Sequence, residues 1–128
     1  HEVKRDLYLA SIKEGQVIRL NNVFFKQSKS DLLSESYPEL KRLAKMMLEY
    51  KKMEIALEGH TEAIGEPGKN MKLSKDRVKV VREYLISKGI EANRIDTKAF
   101  GGTQPLSTDR NPEAQKANRR VEVRIIKL

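Results

Sequence analysis

Glu58-Gly59-His60-Thr61-Glu62-Ala63-Ile64-Gly65-Glu66-Pro67-Gly68-Lys69-Asn70-Met71-Lys72-Leu73-Ser74-Lys75-Asp76-Arg77 is the most informative stretch of this chain. Just before it, Met53, Ile55 and Leu57 alternate with Glu54, Ala56 and Glu58, the period-2 pattern of a strand with one buried face. Gly59 closes that run. A polar loop with Gly and Pro follows, and a helix period is predicted from about Asn70. Small polar and acidic residues thus gather at a strand's carboxyl end, where open α/β sheets collect ligands. On the helix, Leu73, Val80, Val81, Tyr84 and Leu85 form an apolar stripe, and Arg77 falls inside it. Asn70, two helical turns earlier, shares that face. An arginine pointing toward a core needs a reason.

On either side of this unit the chain supplies further elements. Gln16–Phe25 is predicted as the first strand, with a bulge or bend at Asn21-Asn22, and Lys26–Asp31 as a polar loop. Ser34 or Ser36 caps a predicted helix to about Tyr50, with the stripe Leu40, Leu43, Ala44, Met47 and Leu48. The helix after Asn70 runs to about Lys88, and Gly89 takes the left-handed position that ends it. Arg94–Phe100 gives a third strand. Gly101–Pro105 is a turn, an irregular polar segment runs to Asn118, and Arg119–Lys127 is the last strand. Val121, Val123 and Ile125 share a face there, and parity adds Arg119 to it. The order β-α-β-α-β-β predicts an α/β two-layer sandwich, a mixed sheet packed by two main helices. Residues 1–15 are expected as a linker or edge extension, and 16–128 as the domain.

Composition narrows the classes of function. The 128 residues suit one domain with a real core, 38% hydrophobic and 34% charged. The net charge of +8 favours anionic partners: nucleic acid, acidic lipid or an anionic envelope polymer. There is no cysteine, hence no disulfide framework or thiolate metal site. No apolar run approaches the ~18 residues of a membrane span. The chain opens on His1 and not Met, which predicts a piece of something longer, with any targeting segment out of view. A pI of about 9.7 invites a nucleic-acid reading, but aromatics for stacking are only 5% and no known binding module is present. Two histidines without cysteine argue against a transition-metal site. Ser74 has no histidine at helix spacing and no nucleophile elbow, which argues against a hydrolase. No cofactor is expected.

The residues also carry a family resemblance. Phe24-Phe25 and its polar loop, Gly59-His60-Thr61-Glu62, Asn70-x-x-Leu73-Ser74-x-x-Arg77, Gly89-Ile90, Arg94-Ile95, Phe100-Gly101-Gly102, Pro105 and Asn118-Arg119-Arg120-Val121-Glu122 occur in this order. Over roughly Val17 to Ile126 the chain resembles the OmpA-like carboxyl-terminal domain, found also in MotB-type proteins and peptidoglycan-associated lipoproteins. The resemblance implies non-covalent binding of peptidoglycan through the diaminopimelate of its stem peptide. It also implies an anchoring role in the periplasm of a Gram-negative envelope, by the outer membrane, with other envelope proteins as partners and no enzymatic activity. The family's key acid falls on Glu62, here Glu for the usual Asp, and its key arginine on Arg77. Asn70, Arg119 and Thr61 carry over from the same motifs. The family's acidic loop after the first strand is Phe25-Lys26-Gln27-Ser28 here, so only Ser28 carries over, as a polar contact.

The chemistry agrees with that resemblance. Diaminopimelate ends in a carboxylate and an ammonium on one carbon. Arg77 supplies a planar fork for the first and Glu62 a counter-charge for the second. A structural alternative stands beside it, in which Arg77 and Glu62 pair with each other to close the loop. Arg119 has ligand and structural readings alike, and Asn70 is a helix-start residue as readily as a contact. Two other classes of function remain at this point, a basic protein-docking domain and, behind it, nucleic-acid binding.

Overall fold

The computed structural model describes residues 12–26 and 29–128. The alternation around Ile55 becomes β2, Glu54–His60, one of the two inner strands of the sheet. Its neighbours are β3, Ile95–Gly101, which is parallel to it, and β4, Arg120–Lys127, which is antiparallel. β1, Val17–Leu20, pairs antiparallel with β4 at the edge, giving the order β1-β4-β2-β3. The parallel β2–β3 pair requires a crossover, and α2, Pro67–Ser87, provides it. With α1, Tyr37–Glu49, it covers one face of the sheet. The expected two-layer α/β sandwich with a mixed sheet is therefore the observed fold.

The core lies between those layers. Leu40, Leu43 and Met47 of α1 and Val78, Val81 and Leu85 of α2 pack on Ile55, Leu57, Val121, Val123 and Ile125. Each fully buried side chain of this size contributes about 1.5–3 kcal/mol. Gly89 has φ of 100°, so the predicted helix stop is present.

Several boundaries differ from the sequence reading, each for a local reason. The strand expected over Gln16–Phe25 stops at Leu20, because Asn21-Asn22 makes a turn. Beyond it the backbone bonds to side chains of another element. Asn22 N donates to Glu39 Oε1 at 2.7 Å, and Phe24 N donates to Ser36 Oγ at 2.7 Å. Ser36 Oγ donates back to Phe24 O, so the hydroxyl expected to cap α1 staples the strand's exit instead. Helix phases also shift. Leu48 is 47% exposed and Met46 is buried in its place, while in α2 Val78 is buried and Leu73, Val80 and Tyr84 are only half-buried. Gly59 explains the second shift, since a Cβ there would lie 2.6 Å from Val78 Cγ1 and 2.7 Å from Ser74 O. The helix sits directly on that glycine, through Ser74 and Val78.

α2 begins at Pro67, earlier than about Asn70, with proline in the first turn where its missing N–H costs nothing. The segment expected as irregular up to Asn118 contains α3, Pro112–Asn118, capped by Asn111 Oδ1 accepting from Ala114 N at 2.8 Å. Arg119 is consequently the residue after that helix, not the first of a strand, and its side chain is 39% exposed. The parity that aligned it with Val121 does not extend past Arg120. Most of the expected linker, His1–Ser11, lies outside the described residues, whereas Gly15 N donates to Ile125 O at 2.7 Å. No helix among the described residues is long and apolar enough to cross a membrane.

Candidate ligand-binding site

The site forms where β2 ends and the loop to α2 begins. Three glycine and serine contacts bring the elements close enough. α2 rests on Gly59, and Ser74 Oγ accepts from Gly101 N at 2.9 Å while donating to Met71 O. Thr61 N then donates to Gly101 O at 2.8 Å, fixing the loop's first residue to the end of β3. Asn70 Nδ2 reaches back to Glu62 O at 3.3 Å and Ile64 O at 3.1 Å. From the far side, Gln115 Oε1 of α3 accepts from Ala63 N at 3.0 Å, and Gln115 Nε2 donates to Asp109 O. The Glu62 backbone is thus held by neighbours from α2, α3 and β3.

Arg77 is where the periodicity put it, 5% exposed beneath this loop. Its Nε donates to Lys29 O at 2.9 Å, a longer 3.4 Å contact runs from Nη2 to Lys26 O, and the guanidinium lies 4.8 Å above the Phe25 ring. Burial, and then the positive charge of Arg119, lower its pKa to about 10, with Glu62 opposing. Glu62 nevertheless spends its carboxylate elsewhere, on Arg119 Nη1 at 2.5 Å. The Arg77–Glu62 pair expected as the structural alternative is not the pair that forms. Among the described residues no ion pair is made by Arg77, and its Nη1 has no hydrogen-bond partner. Two guanidiniums and one carboxylate leave the site an unbalanced positive charge.

Thr61, Glu62, Asn70, Arg77 and Arg119 all line one cavity of about 550 Å³, together with the Glu66–Lys69 and Asp76–Lys72 pairs. Five of the six expected site residues are therefore together. Ser28 lies outside the described residues. The Thr61 hydroxyl donates to Glu62 O at 3.0 Å, and the Asn70 amide is engaged with the loop, so both hold the loop's shape. Gln115 was missed by the sequence reading. The signal for it was Asn111-Pro112, a cap followed by proline at a helix start.

His60 faces the other side of the sheet. It is buried, stacks on Phe100 at 5.1 Å, and lies 3.6 Å from Glu122 Oε1, with both ring nitrogens lacking a hydrogen-bond partner. Burial, then Arg120, lowers its pKa, so the imidazole is neutral at pH 7. Ligand atoms of Glu58, His60 and Glu122 lie within 4.8 Å of one another, the spacing of a metal site. Both carboxylates are taken, however: Glu58 by Arg124 at 2.7 Å and Glu122 by Arg120 at 2.8 Å. The trio belongs to a charge-balanced network under the sheet.

A two-layer α/β fold with an unpaired guanidinium under the loop at a strand's carboxyl end offers a fixed donor group where such folds collect ligands. The OmpA family model matches residues 24–119, and the chain belongs to the OmpA family. It is 33% identical over 113 residues to outer membrane porin F of Pseudomonas aeruginosa, covering 87% of this chain and 32% of the porin. It is 30% identical over 101 residues to the peptidoglycan-binding protein ArfA of Mycobacterium tuberculosis, covering 79% and 31% respectively. The chain thus spans about a third of either relative. Among solved structures, the periplasmic domain of Helicobacter pylori MotB matches with a TM-score of 0.76 at 21% identity, over 90% of this chain and 78% of that one. The cell wall anchor of the type VI secretion system from Pseudomonas aeruginosa matches with a TM-score of 0.68 at 28% identity, over 84% and 76%.

Proposed function

We propose that this domain binds peptidoglycan non-covalently, through the diaminopimelate of the stem peptide, and anchors an envelope protein or complex to the cell wall from the periplasm. The observation that carries the reading is Arg77, buried and charged, with guanidinium donors unused beside a Glu62–Arg119 pair. A carboxylate supplied by a ligand answers the positive charge left over in the site. Arg77 Nη1 and the free edge of Arg119 donate to it, while Glu62 turns toward the ammonium on the same carbon. With a zwitterion inserted there the site holds five charges, three positive and two negative, each with an opposite charge beside it. Thr61 and Asn70 act as positioning residues that shape the Glu62 loop.

Membership of the OmpA family, the peptidoglycan-binding relative and the cell-wall-anchor neighbour support the same conclusion. Recognition of this kind requires no bond to be made or broken, and the site is read as a binding site with no enzymatic role. The test is co-pelleting with purified diaminopimelate-type sacculi, with and without excess free meso-diaminopimelate. Pelleting that the free amino acid competes away is the expected result. Pelleting indifferent to it leaves wall binding but removes diaminopimelate as the group bound, and no pelleting removes the anchor reading altogether.

A further inference from the structure

A second cavity, of about 430 Å³, opens between β1 and α3 and shares Arg77 and Arg119 with the first. Its character is different. The outer cavity mixes signs, with Glu62, Glu66 and Asp76 beside Lys69, Lys72 and the two arginines, whereas among the described residues Glu113 is the only acid lining the inner trough. Arg19, Lys116 and Arg120 join the two shared arginines there, over an apolar floor that includes Leu20, Val23 and Phe25. Arg120 is committed, bonding to Glu122 Oε2, Asn118 O and Gln104 O. Lys116 is exposed and makes no ion pair or hydrogen bond among the described residues. Arg19 is 48% exposed and only 3.8 Å from Glu122, at the loose limit of a pair.

We infer that this trough is a second anion subsite, which binds a carboxylate of a residue flanking the diaminopimelate, with Lys116 and Arg19 supplying the charge. The inference rests on the proposed function and gives its ligand a direction. The ammonium end lies toward Glu62, which lines the outer cavity but not the inner one, and the peptide leaves through the cationic trough. The complementarity is chemical. Neighbouring stem-peptide residues present carboxylates and methyl-sized side chains, which suit a cationic rim over an apolar floor. Because the carboxylate at Arg77 and Arg119 sits where the two cavities meet, a peptide held there has one continuous path along which a second carboxylate meets uncommitted cations.

The candidate carboxylate has two sources, the α-carboxyl of the preceding D-isoglutamyl residue and the carboxyl terminus of the following D-alanine. Calorimetry would compare the tripeptide γ-D-Glu-meso-diaminopimelyl-D-Ala with its two singly amidated forms, on the wild type and on Lys116→Gln and Arg19→Gln. One amidation is expected to weaken wild-type binding about tenfold, the effect of losing a charge-assisted contact. The position of that amidation identifies the source. Lys116→Gln should bind the free peptide about as weakly as the wild type binds the amidated one, and should no longer distinguish the two. Free and amidated peptides binding the wild type equally well would overturn this inference and leave the proposed function standing. If none of the three bound, the proposed function would fall and take the subsite with it.

Discussion

Replacing Arg77 with Ala separates two consequences that the geometry allows to be sized. For folding, the variant loses a charged hydrogen bond to Lys29 O, a long one to Lys26 O and the contact over Phe25. The first is worth about 1.5–3 kcal/mol and the cation–π contact roughly 0.5–1 kcal/mol. Against that, the variant no longer buries a guanidinium whose pKa is held down to about 10, chiefly by desolvation. These terms oppose each other. A net loss of about 1–2 kcal/mol is expected, small beside the ~5–15 kcal/mol of an ordinary domain.

For binding nothing offsets the loss. The charge-assisted bond from Arg77 Nη1 to the ligand carboxylate disappears, about 1.5–3 kcal/mol, or roughly one to two decades of affinity. Arg77→Lys keeps the charge but cannot hold Lys29 O and present a fork at once, so it should fall between wild type and Ala. Urea unfolding measures the first quantity, and calorimetry with a diaminopimelate tripeptide the second. A folded Ala variant with wild-type affinity would refute the reasoning. So would one that fails to fold, since Arg77 would then be mainly a clamp on the loop over Phe25.

Glu62→Gln should leave stability within about 1 kcal/mol, because its pair with Arg119 is solvent-exposed, but should lower peptide affinity about tenfold or more. Glu62→Asp should bind as well as wild type or better, and an unchanged Gln variant in calorimetry would mean the ammonium is not held there. A lysine-type peptide, lacking the distal carboxylate, leaves Arg77 unanswered and should bind tens-fold more weakly, read in matched titrations. Gln115→Ala frees Ala63 N and should cut affinity several-fold, with faster amide exchange at Ala63; Gln115→Glu keeps the acceptor and should restore the protection. His60 has a folded pKa below its ordinary 6.5, so the unfolded chain binds more protons in that window and stability falls as pH drops from about 6.5 through the folded value. Urea melts at neutral and acidic pH should show that slope in wild type and a shallower one in His60→Phe.

The parts of the site legible in the sequence were those imposed by burial. Arg77 could be placed because a helix face repeats with a fixed period, and its position inside an apolar stripe survived an error in the stripe's phase. That error had a physical source. Leu73, Val80 and Tyr84 satisfy the same period as Ser74, Val78 and Val81, and only the missing side chain at Gly59 selects between them. α3 was hidden because its buried residues are Gln115 and Asn118, so no apolar period marks it. With α3 unseen, strand parity was carried one residue too far and Arg119 was turned toward the core. Which arginine pairs with Glu62 follows from the same element, since Arg119 sits where α3 hands the chain to β4. A pairing set by the junction of two elements leaves no mark on either one's periodicity.

The sheet's register has a mechanical meaning. The site lies at one end, where His60 is paired with Arg120, while Val17 pairs with Arg124 and Glu54 with Lys127 at the other. If the domain anchors as proposed, a pull between a wall ligand at Arg77 and either end of the domain, at Val17 or Lys127, runs along the strands. β1, β4 and β2 are then loaded in shear, with the rungs between them strained together and not peeled one after another. Resistance would therefore scale with the length of the paired β4–β2 seam, the longest pairing in the sheet.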